Sequence, residues 1–276
     1  VSVRCSALST CWATSISAGL PAEAGQLLTF NVTVTGTTGN LAFTSAPTID
    51  STTGNLTYAV VANTNGTATV SVTLSDNGAN NSPNVNTSAV ETFTIIITAM
   101  NDAPTASGVA TLAAIIEDAL SPAGATIESL FTNNFSDATD QVTGGSSADT
   151  LAGIAISDYT VDVSKGNWQY STDNGSSWIN LSSTTITAAI TLNVTDRLRF
   201  LPTANYNGAA TSLSVNLIEI GQAITSGAVL NLFGATGRTT HISSATVPLG
   251  ETIQALNDAP VLVNNTGLTA SNHVPL

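Results

Sequence analysis

Apolar and polar residues alternate along much of this chain. Leu28, Phe30, Val32 and Val34 are separated by Thr29, Asn31 and Thr33, the period-two pattern of a strand with one buried face. The alternation returns at Ala68, Val70, Val72 and Leu74, and again at Phe93, Ile95 and Ile97. Gly, Asn, Asp and Pro fill the intervals and mark turns. Further on, GNWQYSTDNGSSWINL at 166–181 reads as a hairpin, because Asp173-Asn174-Gly175 can supply the positive φ angles of a tight turn. The polar, Gly-containing stretch from Thr139 to Ser147 reads as a surface loop.

Two repeats run through this pattern. ITAMNDAP at 97–104 reappears as IQALNDAP at 253–260, with six of eight residues identical, and LTYAVVANTNG at 56–66 aligns with LRFLPTANYNG at 198–208. Each octapeptide closes a unit, so one module is written twice, over 1–103 and 104–259, with a strand-like tail at 260–276. Short strands without helices between them point to an all-β fold of immunoglobulin-like sandwiches.

Composition narrows the function. Of 276 residues 42% are hydrophobic and only 8% charged, so the chain can bury real cores and is not disordered. Five Lys and Arg face eighteen Asp and Glu, and a net charge of −13 repels phosphate backbones and anionic lipid while attracting cations. Nucleic acid is therefore not an expected partner, nor is direct membrane insertion, since no apolar run approaches the roughly 20 residues of a membrane helix. Cys5 and Cys11 either close a small disulfide loop in an oxidising compartment or remain buried thiols. A first residue of Val fits a processed, exported protein or a fragment of a longer one.

The run WATSISAGLPAEAGQLLTFNV, VTLSDNG at 72–78, the F-x-P-x-A-N-Y-N-G motif at 200–208 and the NDAP segments resemble the tandem cadherin-like and immunoglobulin-like repeats of large bacterial surface adhesins. The resemblance spans nearly the whole chain. It implies two cadherin-like or immunoglobulin-like sandwiches in line, located at the cell surface or outside the cell. It also implies calcium between consecutive repeats, with Asn101, Asp102, Asn257 and Asp258 on the linker positions. Glu117 and Asp118 resemble the acidic pair that follows the first strand, and with Asp76 of the DNG and Asp137 and Asp140 of the SDATD they are candidate oxygen ligands. Calcium takes six to eight such oxygens, and bridging two domains stiffens the joint. The linker pattern is incomplete, since Ala103 and Ala259 replace its second Asn, and Asp and Asn also serve as ordinary turn residues.

Repeats of this kind open with a strand just after NDAP, and the first unit lacks that opening unless VSVR substitutes for it. VLVNNTGLTASN at 261–272 resembles the opening strand of a further unit. Two readings follow. Either the chain is a slice of a longer array, or the tail, through Val261 and Val263, fills the vacancy in the next copy and builds a head-to-tail filament by donor-strand exchange.

Catalysis finds no motif: GxSxG, HExxH and a phosphate loop are all missing, and Asp149, Asp158, Asp162 and Asp173 form no recognisable pair. The chain reads as a non-enzymatic spacer whose partners are copies of itself or neighbouring repeats. The competing class is a carbohydrate-binding module, in which Trp168, Tyr170 and Trp178 stack on surface glycans; the same aromatics also suit a hairpin core.

Overall fold

The computed structural model describes residues 12–19 and 21–261. The fold is mostly β, with one short α-helix among the described residues. Among the described residues, five strands precede the first NDAP: β1 (Leu28–Thr37), β2 (Phe43–Ile49), β3 (Leu56–Val60), β4 (Gly66–Asp76) and β5 (Glu91–Ile97). β4 lies between β1 and β5 in an antiparallel sheet, and β2 pairs with β3. The alternation in β1 becomes half-buried and exposed positions in turn. Its inner residues pack on a cluster of Leu41, Ile49, Ala68, Val70, Val72 and Ile95, but Trp12, Phe30, Phe93 and Ile97 around that cluster stay only half-buried.

After NDAP come β6 (Thr105–Ala106), β7 (Ala110–Thr111), β8 (Ile115–Ile116), β9 (Ala125–Thr126), α1 (Ile127–Phe131) and β10 (Phe135–Ser136). They are followed by β11 (Leu151–Asp158), β12 (Gly166–Ser171), β13 (Ile179–Asn180), β14 (Ala189–Asn193) and β15 (Arg197–Pro202). The last five are β16 (Gly208–Ala209), β17 (Leu213–Glu219), β18 (Val229–Leu230), β19 (Val247–Gly250) and β20 (Thr252–Gln254). A six-stranded sheet has the order β18-β14-β11-β17-β19-β7, and a four-stranded sheet the order β13-β12-β15-β9. Their inner faces share a cluster that includes Ile154, Trp168, Leu198, Phe200 and Leu217, separate from the one before NDAP. The five residues of α1 cover one end of it with Ile127 and Phe131, and the hydroxyl of Thr126 caps the helix by accepting from Ser129 N at 3.2 Å.

The written repeat is also a backbone repeat. Asn63 and Asn205 both adopt positive φ, 56° and 57°, and Gly66 and Gly208 follow at 134° and 131°. β1, β4 and β5 correspond in order and direction to β11, β17 and β19, and Leu28 faces Asp76 as Leu151 faces Glu219. The two halves differ at one edge. β19 and β20 carry β7 and β8 alongside them in parallel, whereas β5 has β4 as its one ladder partner among the described residues.

Candidate metal centre at the first NDAP segment

Four stretches of chain meet where β5 gives way to NDAP. Asn101 donates through Nδ2 to Glu219 Oε1 at 2.8 Å and to Thr240 O at 3.1 Å. The Asp102 amide donates to Asp140 Oδ2 at 3.0 Å, and the Ala103 amide to Arg238 O at 2.6 Å. Glu219 is the last residue of β17 and is fully buried; its Oε1 also meets His241 Nδ1 at 3.0 Å. Asp137, just beyond β10 and 5% exposed, accepts the Asp149 amide on Oδ2 at 2.6 Å.

Two carboxylate oxygens in this group, Asp137 Oδ1 and Glu219 Oε2, are buried without a hydrogen-bond partner. Burial first, and then the nearby carboxylates of Asp140, Asp149 and Asp102, push the Asp137 carboxyl above its usual range. Burial does the same to Glu219, with Asp137 adding to the rise and Asn101 and His241 opposing it. A ligand atom from each of Asp149, Glu219 and His241 lies within 4.8 Å of the others. Buried carboxylates crowded together are costly, His241 is the one basic side chain against them among the described residues, and a divalent cation would offset more of that cost. The donor set is dominated by oxygen and so fits a hard cation, with the histidine serving to hold Glu219 in place.

The neighbouring 139–147 segment is a loop exposed along most of its length, as its composition suggests, but it is anchored at two buried positions. Asp140 and Val142 are buried, and Asp140 accepts the Asp102 amide. There Ser146 exchanges hydrogen bonds with the Asn65 amide group, at 3.0 Å from Nδ2 and 3.3 Å to Oδ1. A cleft of about 210 Å³ beside it is lined by Asn63, Asn65, Met100, Asp102 and Asp140.

The other predicted ligands lie elsewhere. Glu117 accepts Leu256 N on Oε1 at 2.6 Å and Asn207 Nδ2 on Oε2 at 3.0 Å, and these bonds, Asn207 first, hold its carboxyl below the usual range. Asp118 accepts the Asn205 amide at 2.9 Å. These contacts place the acidic pair beside the chain leading into the second NDAP, where Asn257 and Asp258 are exposed. Asp76 stands apart at the end of β4 and closes a turn onto Gly78 N at 2.6 Å. Thus Asn101, Asp102, Asp137 and Asp140 come together, while Glu117, Asp118 and Asp76 do not join them. Val261 is exposed; Val263, Cys5 and Cys11 lie outside the described residues.

Asp149, Glu219 and His241 were absent from the ligand set expected from sequence. The signal for Glu219 was the register of the repeat, which puts it where Asp76 ends the earlier strand.

Trp168, Tyr170 and Trp178 do not form one surface. Trp168 is fully buried against Phe200, with ring centroids 5.5 Å apart, and donates from Nε1 to Thr211 O at 2.7 Å. Tyr170 packs on the same core, and Trp178 is covered by the Arg199 guanidinium 4.0 Å above its ring. The buried Trp168 ring is not available to stack on a sugar.

No family model, curated protein or solved structure matches this chain.

Proposed function

We propose that this chain is a non-catalytic structural module of an extracellular or surface-bound fibre of the adhesin type. In this reading residues 12–103 and 104–259 are successive immunoglobulin-like or cadherin-like sandwiches, and a calcium ion at the first NDAP fixes the angle between them. The observation that supports it most directly is the convergence of Asn101, Asp102, Asp137, Asp140, Asp149 and Glu219, with Asp137 Oδ1 and Glu219 Oε2 buried and lacking donors. Calcium would supply charge neutralisation and a cross-link between segments otherwise joined by a few hydrogen bonds. Residues on either side of NDAP would then move as one body, which suits a spacer.

The test is thermal unfolding in calcium and in chelator, for the native chain and for Asp137→Asn. A ligand at a hundred times its Kd stabilises by about 2.7 kcal/mol, which raises the transition by several degrees. Asp137→Asn removes one charge from the crowded group, so it should lose most of the calcium response without losing stability in chelator. Superimposable melts of the native chain in both buffers would show the calcium assignment to be wrong.

A further inference from the structure

We infer that the outer edge of β5 is a strand-acceptor site, and that its occupant is the segment after the second NDAP, residues 261–272, of another copy of this chain, added in parallel. The inference deepens the structural reading above and rests on it.

The chain contains its own template. After the first NDAP, Ala110 and Thr111 lie beside Leu249 and Gly250, and Ile115 and Ile116 beside Ile253 and Gln254, all in parallel register. The Leu112 amide donates to Gly250 O at 3.0 Å, and its side chain, 5% exposed, plugs the core. Residues 91–98 stand in the same relation to the first NDAP as 247–254 do to the second. Their edge, however, has no such strand beside it among the described residues. The core beneath is correspondingly open: Trp12, Phe93 and Ile97 stay only half-buried. An unpaired edge over an incompletely covered core favours addition of a strand.

Carrying the template's register over sets Thr266 beside Phe93, Gly267 beside Thr94 and Ser271 beside Ile97. Leu268 then takes the place that Leu112 has in the second core. The linker is matched as well. Asn101 bonds to Glu219 at the end of β17, and Asp76 ends β4 in the same register, so an incoming Asn257 would face Asp76.

The donor must come from a second molecule. The two sets of sheets touch beside the first NDAP, through Asn65 and Ser146. β5 runs toward that junction and β19–β20 away from it, so the start of β5 and the end of β20 are about two strand lengths apart, roughly 50 Å. The stretch from Gln254, where β20 ends, to Asn264, which this register sets beside Glu91 at the start of β5, spans at most about 36 Å. Successive donations therefore run head to tail and do not close within one chain.

The experiment compares the full chain, a version ending at Pro260, and the full-length variants Leu268→Asp and Asn272→Asp, by light scattering across a concentration series. The expected result is concentration-dependent oligomers for the full chain, monomers for the truncated chain and for Leu268→Asp, and oligomers for Asn272→Asp. That last position matches the exposed Ile116, so a charge there is tolerated. A synthetic peptide of residues 261–276 should bind the truncated chain and protect the β5 amides from hydrogen exchange. A monomeric full chain, oligomers that survive truncation, or β5 amides already protected in the truncated chain by its own N-terminal residues would each overturn the assignment. The calcium response of the melts is read separately, so failure here leaves the reading of the NDAP junction standing or falling on its own test.

Discussion

Replacing Glu251 with Gln should make the protein more resistant to unfolding at neutral and alkaline pH. Glu251 sits in the break between β19 and β20, is 3% exposed, and neither carboxyl oxygen makes a well-formed hydrogen bond. Burial pushes its carboxyl from 4.5 up to about 7, against a smaller opposing pull from the Phe200 backbone amide. The folded state thus holds a proton that the unfolded chain releases near its ordinary value. The contribution is fully present below about pH 4.5, declines as pH rises toward about 7, and is lost beyond it. At about 1.4 kcal/mol per pH unit, the loss across that window is about 3 kcal/mol. Glutamine is neutral throughout and escapes it. Urea unfolding of both proteins from about pH 4 to about pH 8 isolates the effect as a widening gap in midpoint, of the order of 1 M at the alkaline end. Any constant offset reflects the fit of the amide and is irrelevant. Parallel stability profiles for the two proteins would refute the reasoning, because a Glu251 that ionises as freely folded as unfolded cannot generate a pH-dependent difference.

Trp168→Ala should destabilise the sheets after NDAP by about 3–5 kcal/mol, measured by denaturant unfolding, since the ring is fully buried against Phe200. Gly66→Ala places a Cβ 2.1 Å from Thr38 O at a φ of 134°, so a loss of about 1–3 kcal/mol or more is expected. Gly36→Ala, whose Cβ would meet nothing within 4 Å, should lie much closer to the native protein. Arg199→Ala removes the guanidinium over Trp178 and the 2.7 Å bond to Gln169 Oε1. It should cost about 1–3 kcal/mol and shift Trp178 fluorescence toward that of a solvated indole.

Local pattern and long-range assembly were unequally visible in the amino-acid sequence. Alternation at Leu28–Val34 announced β1 because each side chain's face is decided by its neighbours two residues away. The A-N-x-N-G segment was legible as a repeat, and positive φ at Asn63 and Gly66, which restricts the residues that fit there, is the physical reason it recurs. Glu219 and His241 were not visible as a pair. They meet because the segment carrying His241 returns alongside β17, with Ile218 opposite Ile242, a pairing set by the sheet and not by spacing. Trp168 illustrates the same limit. Its spacing from Tyr170 put both on one side of a strand, but only the approach of Phe200 on β15 determined that this side is the covered one. In 139–147 the polar composition correctly indicated an exposed loop, but the burial of Asp140 and Val142 and the Ser146–Asn65 contact depend on a partner 81 residues away in the chain.

The parallel pairing of β7 and β8 with β19 and β20 has a mechanical consequence. The chain enters this body on one strand and leaves it on the adjacent strand running the same way, so the points of attachment lie at opposite ends of a shared ladder. Tension applied through the two NDAP segments acts along that ladder and strains its hydrogen bonds together in shear, whereas an antiparallel pair pulled from one end would open a bond at a time. A body built this way resists extension until the whole ladder gives way, and lengthens little before it does.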